Sequence, residues 1–291
     1  MTEKEFAIQS SSGNLFRAGC ASATWIKGFA LLCMTIDHIG ALGFDTPGIT
    51  GHQDTLRLIG RMAAPLFLYF VVESARHTKN RKRYLLRLYL AAVCTGLCNL
   101  AVSRFLFSGR IALGGNILHS FVWVVAAICV LDMALDSWRR GRRWRACLWL
   151  AGGAGAVLLT SAYENLVLLA PGFSRMFGGN APWMMQLSDC FLRSPVRAEY
   201  SVLYIVLGIV WYYQRTKAQR CLTLLGLSLL SFFAGGNVPG WCVFIEGIQW
   251  GMAGAIVPIL LYNGTYGRGH KWFFYLYYPL HQYVLAFLLL C

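Results

Sequence analysis

Apolar residues run through this chain in stretches of about 20, separated by short polar or basic segments, from Trp25 to the last residue. An α-helix needs about that length to cross a ~30 Å hydrocarbon core. The pattern therefore predicts an all-α fold, a polytopic transmembrane helical bundle of about nine spans. These fall near 25–44, 56–74, 84–103, 111–135, 146–163, 197–214, 221–236, 241–262 and 272–291. Residues 1–24 are polar and lack the apolar stretch of a secretory signal, so they are expected to form a cytosolic amino-terminal segment, with 25–291 as one transmembrane domain. Between the fifth and sixth spans, 164–196 is expected as a re-entrant or interfacial loop. Pro171, Gly178, Gly179, Pro182 and Pro195 punctuate it among Phe173, Trp183 and Met184.

Composition agrees: 57% of residues are hydrophobic and 13% charged, which leaves no room for a soluble domain. The net charge of +14 raises the question of nucleic acid. The basic residues, however, sit in alternate loops, Arg76 to Arg87, Arg139 to Arg145, Arg215 to Arg220, and Arg268 with Lys271. That is the positive-inside pattern of a multi-pass plasma-membrane protein surrounded by lipid, and it accounts for the charge without nucleic acid. It places the amino terminus in the cytosol. Cys291, the 164–196 loop and the turns around Asp45 and Gly236 then face outward.

The 10 cysteines lie mostly inside spans and form no Cys-x-x-Cys pair, so neither a disulfide framework nor a metal site is expected. Cys94 and Cys98 share a helix face as small packing residues. Gly247 with Gly251, and the Gly152 to Gly155 cluster, have the small-residue spacing that lets helices approach. Asn263-Gly264-Thr265 matches a glycosylation acceptor but falls in an expected cytosolic loop.

The chemistry lies in ionisable residues inside apolar helices, which are costly there and mark functional sites. At ~1.5 Å per residue, Asp37 and His38 lie ~18–20 Å from the cytosolic start of the first span. Entering from outside, Arg61 sits ~8 Å down the second span, His119 ~12 Å down the fourth and Glu246 ~8 Å down the eighth, while His281 is ~14 Å up the ninth. Groups from five helices thus share one layer, which implies a polar cavity in the outer half of the membrane. Arg61 is the counter-ion for Asp37 or Glu246, with a fork suited to a carboxylate or a developing oxyanion. A purely structural Asp-Arg lock is the alternative. Neighbouring helix positions diverge by about 100°, so Asp37 and His38 are not expected to pair with each other. His38 is the candidate general base. Asn116, His119, Glu246 and His281 are the supporting cavity residues.

At these residues the chain resembles the TraX family, membrane proteins whose founding member acetylates the amino terminus of conjugative pilin. The resemblance rests on Lys27 followed by Met34-Thr35-Ile36-Asp37-His38-Ile39-Gly40, then Arg57-Leu58-Ile59-Gly60-Arg61-Met62-Ala63-Ala64-Pro65-Leu66-Phe67. Two further blocks are His77-Thr78-Lys79-Asn80 with Tyr84-Leu85-Leu86-Arg87-Leu88, and Phe274-Tyr275-Leu276-Tyr277-Tyr278-Pro279-Leu280-His281. It is tight over about 25–90, recovers near 272–285 and is loose between them.

The resemblance implies a membrane-bound N- or O-acetyltransferase that carries an acyl group from cytosolic acetyl-CoA to an amine or hydroxyl on a pilin-like peptide, glycan or lipid at the outer face. In that reaction His38 would take the acceptor's proton, Arg61 would hold the oxyanion and Asp37 would orient Arg61 or a histidine; an acyl-His intermediate is a second route. Arg83 and Arg87, four residues apart on one helix face, are the candidate CoA-phosphate ligands, although positive-inside topology alone explains basic clusters. Tyr277-Tyr278-Pro279 is expected to shape helix packing. Two other classes fit the same residues: a proton-coupled transporter of an anionic solute bound by Arg61, and a non-catalytic assembly factor. No repeated pair of interrupted helices marks a transporter.

Overall fold

The computed structural model describes residues 19–43, 46, 48–107, 113, 116–168, 171–191, 193–234, 247–267 and 271–290. Glu246, Cys291, Asp45, Gly236 and Arg268 lie outside the described residues. In chain order, α1 (Ala23–Leu42), α2 (Gln53–Gly60), α3 (Ala63–His77), α4 (Arg81–Phe105), α5 (Ile117–Arg139) and α6 (Arg143–Ala162) come first. A π-helical turn (Tyr163–Leu168), α7 (Pro171–Phe177), a 3-10 turn (Gly178–Asn180) and α8 (Ala181–Phe191) follow. The rest is α9 (Ser201–Tyr213), α10 (Lys217–Ala234), a 3-10 stretch (Gly247–Ala255), α11 (Ile256–Leu261) and α12 (Lys271–Leu290). The described residues form no β-sheet, and an isolated bridge joins Ala21 to Tyr262.

Among the described residues, five helical stretches are long and apolar enough to cross a membrane: Ala23–Leu42, Gln53–His77, Arg81–Phe105, Ile117–Arg139 and Arg143–Leu166. They coincide with the first five expected spans. Polar side chains fix several helix starts by accepting otherwise unpaired backbone N–H groups. Ser22 accepts from Trp25 N at 3.4 Å, Asn80 from Arg83 N at 3.0 Å and Asn116 from Leu118 N at 3.2 Å. The last cap begins α5 at Ile117, and the first residues of the fourth expected span, 111 and 112, lie outside the described residues.

The expected 164–196 loop is also corrected, because its described residues are largely helical. Its Pro and Gly residues mark joins between short helices. Pro171 opens α7, where its missing N–H costs nothing, Gly178 turns the chain with φ of 53°, and Pro182 sits in the first turn of α8. Helix α8 lies against α4, where a Cβ on Gly96 would come within 3.1 Å of Cys190 Cβ.

The described residues fall into two compact units, one within Met1–Phe70, Gln214–Phe233 and Gly247–Cys291, the other within Val71–Tyr213 and Ala234–Glu246. In the first, α1 packs on both α2 and α12. Its core gathers Leu31, Cys33, Met34 and Ala63, with Met62, Phe67, Phe274, Tyr277 and Tyr278 against them. In the second, α5 packs on α4, α6 and α9, burying Val124, Val125, Ile128, Tyr204 and Trp211. Of the glycine cluster on α6, Gly153 meets Val130 of α5, whereas Gly152 and Gly155 face open space. Cys94 and Cys98 are free and exposed, not packed.

Candidate active site

Two glycines set the geometry of the first unit. A Cβ on Gly60 of α2 would lie 2.7 Å from Asp37 Cα, and one on Gly40 of α1 would lie 3.0 Å from Leu56 Cβ. With hydrogen in place of a side chain at each, the two helices touch backbone to backbone. The short carboxylate of Asp37 therefore reaches Arg61, which sits just past the end of α2 where the chain breaks before α3.

Arg61 Nη2 donates to Asp37 Oδ1 at 2.6 Å, and the two side chains are 7% and 16% exposed. Arg61 Nε also donates to Arg57 O at 3.3 Å, so the guanidinium is held from two sides. On the far side of this break the 3-10 stretch closes in, where a Cβ on Gly251 would come within 2.6 Å of Leu58 O.

One residue further along α1, His38 turns away from Asp37, as the helical angle requires. Its Nδ1 is 2.7 Å from Met34 O, so that nitrogen carries the proton and donates it to the carbonyl. Nε2 is thereby the lone-pair nitrogen, and it accepts from the Gln282 amide at 2.8 Å. The His281 ring stands edge-on to His38, with centroids 4.9 Å apart and planes at 89°. His281 Nδ1 likewise donates to Tyr277 O at 2.9 Å, and its ring stacks on Tyr277 at 5.4 Å. That leaves His281 Nε2 buried with no hydrogen-bond partner, on a side chain only 7% exposed. A buried polar nitrogen without a partner is unfavourable and uncommon.

Around this pair, Thr35 Oγ1 donates to Leu31 O at 2.9 Å and receives the Tyr277 hydroxyl at 2.8 Å. Lys27 Nζ lies 5.1 Å from the Phe70 ring centre and 5.9 Å from that of Phe274, an aromatic cradle for its charge. The first unit thus holds two pairs, Asp37 with Arg61 and His38 with His281. Sequence reasoning missed Gln282. It is an amide in an apolar helix directly after His281, and its cost in lipid was the signal available.

The other expected site residues have separate settings in the second unit. Asn116 caps α5, and its Nδ2 donates to Ala92 O at 2.8 Å, which makes it a tie between α5 and α4. His119 is buried with Nε2 unpartnered, in the first turn of α5. Arg83 and Arg87 are exposed on the first turns of α4. Two acidic residues also went unnoticed. Asp132 accepts from Arg81, from Tyr212 at 2.8 Å and from Tyr213 at 2.9 Å, tying α4, α5 and α9. Glu164, fully buried, accepts from both the hydroxyl and the backbone N–H of Ser194, the latter at 2.7 Å. No cluster of metal-binding side chains occurs among the described residues.

Five apolar helices of spanning length, with a buried ion pair and a histidine couple among the helices of one unit, define an integral membrane protein with an internal polar site. The chain belongs to the TraX family, described as TraX protein, which matches residues 22–289. It is 27% identical over 271 residues to the probable fimbrial assembly protein FimC, serogroup H1, of Dichelobacter nodosus, covering 89% of this chain and 92% of that protein. No solved structure matches.

Proposed function

We propose that the protein is a membrane acyltransferase that moves an acetyl group from cytosolic acetyl-CoA to an amine or hydroxyl at the outer face. The observation that carries this reading is the state of His38: its Nδ1 proton is committed to Met34 O, so Nε2 is held as a lone-pair nitrogen against the Gln282 amide, with the His281 ring edge-on to it and the buried Arg61–Asp37 pair in the same unit. A fixed tautomer is what a general base requires. The acceptor would take the place of the Gln282 amide at His38 Nε2.

As the acceptor attacks the thioester carbon, its proton passes to His38 Nε2 and a new N–C or O–C bond forms. The carbonyl oxygen becomes an oxyanion next to the Arg61 guanidinium, which Asp37 positions. Collapse breaks the C–S bond, and the thiolate of CoA leaves with the proton that His38 returns. His281 Nε2 is a second site for that proton or for a polar group of the acceptor.

In this reading the nine spans put the amino terminus and the basic loops in the cytosol, with 164–196 and the carboxyl terminus outside. Arg83 and Arg87 supply exposed charge for the CoA phosphates. The name of the Dichelobacter nodosus relative, a fimbrial assembly protein, favours a pilin-like peptide as acceptor over a glycan or a lipid. It also supports a second reading, a non-catalytic assembly factor held together by the same polar cluster.

Purified protein given acetyl-CoA labelled in the acetyl group separates the two. Release of CoA that depends on an added acceptor amine, with label on that amine, supports the transferase. Binding of a pilin peptide without CoA release supports the assembly factor.

A further inference from the structure

The hairpin between α5 and α6 carries a feature that acyl transfer does not use. Five arginines, Arg139, Arg140, Arg142, Arg143 and Arg145, crowd this turn together with Trp138, Trp144 and Trp149. An open cleft of about 590 Å³ here is lined by Arg140, Arg142, Arg145, Trp144 and Trp149, together with Asp136 and Gly152. Arg140 is engaged by Asp136 at 3.0 Å. Arg142 and Arg145 have no acidic partner among the described residues, so the cleft has uncompensated positive charge. Arg145 lies 5.1 Å over the Trp144 ring, which holds its planar head flat against an aromatic surface.

The cleft runs on as an apolar strip. Arg145, Leu148, Trp149, Gly152 and Leu159 recur at helical spacing along one side of α6, and Leu148, Trp149 and Leu159 are all exposed. A Cβ added at Gly152 or Gly155 would meet nothing, so no described part of the chain covers the strip there and the two glycines are its shallowest positions. Of the five helices long enough to span, α6 is the least buried.

We propose that this cleft is a binding site for one anionic phospholipid. Arg142 and Arg145 take the phosphodiester, Trp144 and Trp149 sit at the level of the glycerol, and one acyl chain lies along the strip at Gly152 and Gly155. Basic pockets flanked by interfacial aromatics recognise such headgroups. The phosphates of CoA share the headgroup's chemistry, but a nucleotide has no use for an apolar strip that continues for turns along a helix.

The test uses the full chain in detergent, studied by native mass spectrometry with phosphatidylglycerol, phosphatidylcholine or CoA added separately. One retained phosphatidylglycerol per chain is expected, with little retention of phosphatidylcholine. Replacing Arg142→Gln together with Arg145→Gln weakens phosphatidylglycerol binding about tenfold or more. Arg83→Gln with Arg87→Gln, the same change of charge on exposed arginines of α4, leaves it unchanged. A photoactivatable phosphatidylglycerol crosslinks to 136–155 in the unaltered protein, which reads the site without any substitution. Equal loss in both double variants, equal retention of phosphatidylcholine, crosslinks mapped elsewhere, or displacement of the lipid by CoA would each overturn the assignment.

Discussion

The molecule holds two Asp–Arg pairs that differ in what surrounds them. Asp132 is shared among Arg81, Tyr212 and Tyr213, with the Asp132 and Arg81 side chains 28% and 32% exposed. Both its oxygens are filled by side chains from two other helices, and the tyrosine hydroxyls are fully engaged. Such a carboxylate is a clasp. Asp37 and Arg61 are far more enclosed, and the same unit holds two imidazoles, one whose Nε2 is met by the Gln282 amide and one whose Nε2 has no hydrogen-bond partner. Burial raises the stakes of every polar group, and an unsatisfied one is unfavourable. The contrast teaches that a carboxylate can be completely satisfied while partly exposed, whereas an enclosed group can still carry an unpaired atom.

The widest gap between the two pairs is expected in turnover. His38→Ala should reduce acyl transfer by ~10²–10⁴, the usual contribution of a positioned acid-base group, with thermal stability close to that of the unaltered protein. A fully active variant would remove this histidine from the mechanism. Next in size is Asp37→Asn, which strands a buried guanidinium and should cost about 3–5 kcal/mol of stability as well as rate. Thermal melting alongside turnover tests this, and an inactive variant of unchanged stability would give Asp37 the acid-base role itself. Gly60→Ala changes no charge, yet its methyl group must push α1 from α2. It should cost about 1–3 kcal/mol and slow transfer by misplacing Arg61.

The smallest effect belongs to the clasp. Asp132→Asn keeps most hydrogen-bonding capacity in a partly exposed place and should cost about 1 kcal/mol, with transfer per folded molecule unchanged. A large loss of activity in that variant would erase the distinction drawn between the pairs.

How much of this was legible in the sequence follows from how each residue announces itself. Asp37, His38, Arg61 and His281 stand out because ionisable groups are conspicuous in apolar helices, and they form two pairs within one unit. Gln282 carries no charge and was passed over, although it holds the base nitrogen of His38. Glu164 was hidden because hydropathy read its surroundings as loop, where an acidic residue is ordinary. The start of α5 is set by the Asn116 cap, which hydropathy does not register, so His119 falls in the first turn of its helix. Depth arithmetic inherits every error in a helix start, whereas a cap residue marks that start by chemistry.

Gly40 and Gly60 contribute no functional group. Yet the meeting of Asp37 with Arg61 depends on what Gly60 lacks, because a Cβ there would overlap Asp37, and Gly40 is tight enough that its neighbours would have to give way. The spacing of the ion pair is therefore written as an exclusion at Gly60. Space for a bulkier acceptor would have to be found away from the α1–α2 seam, which is already closed at that residue.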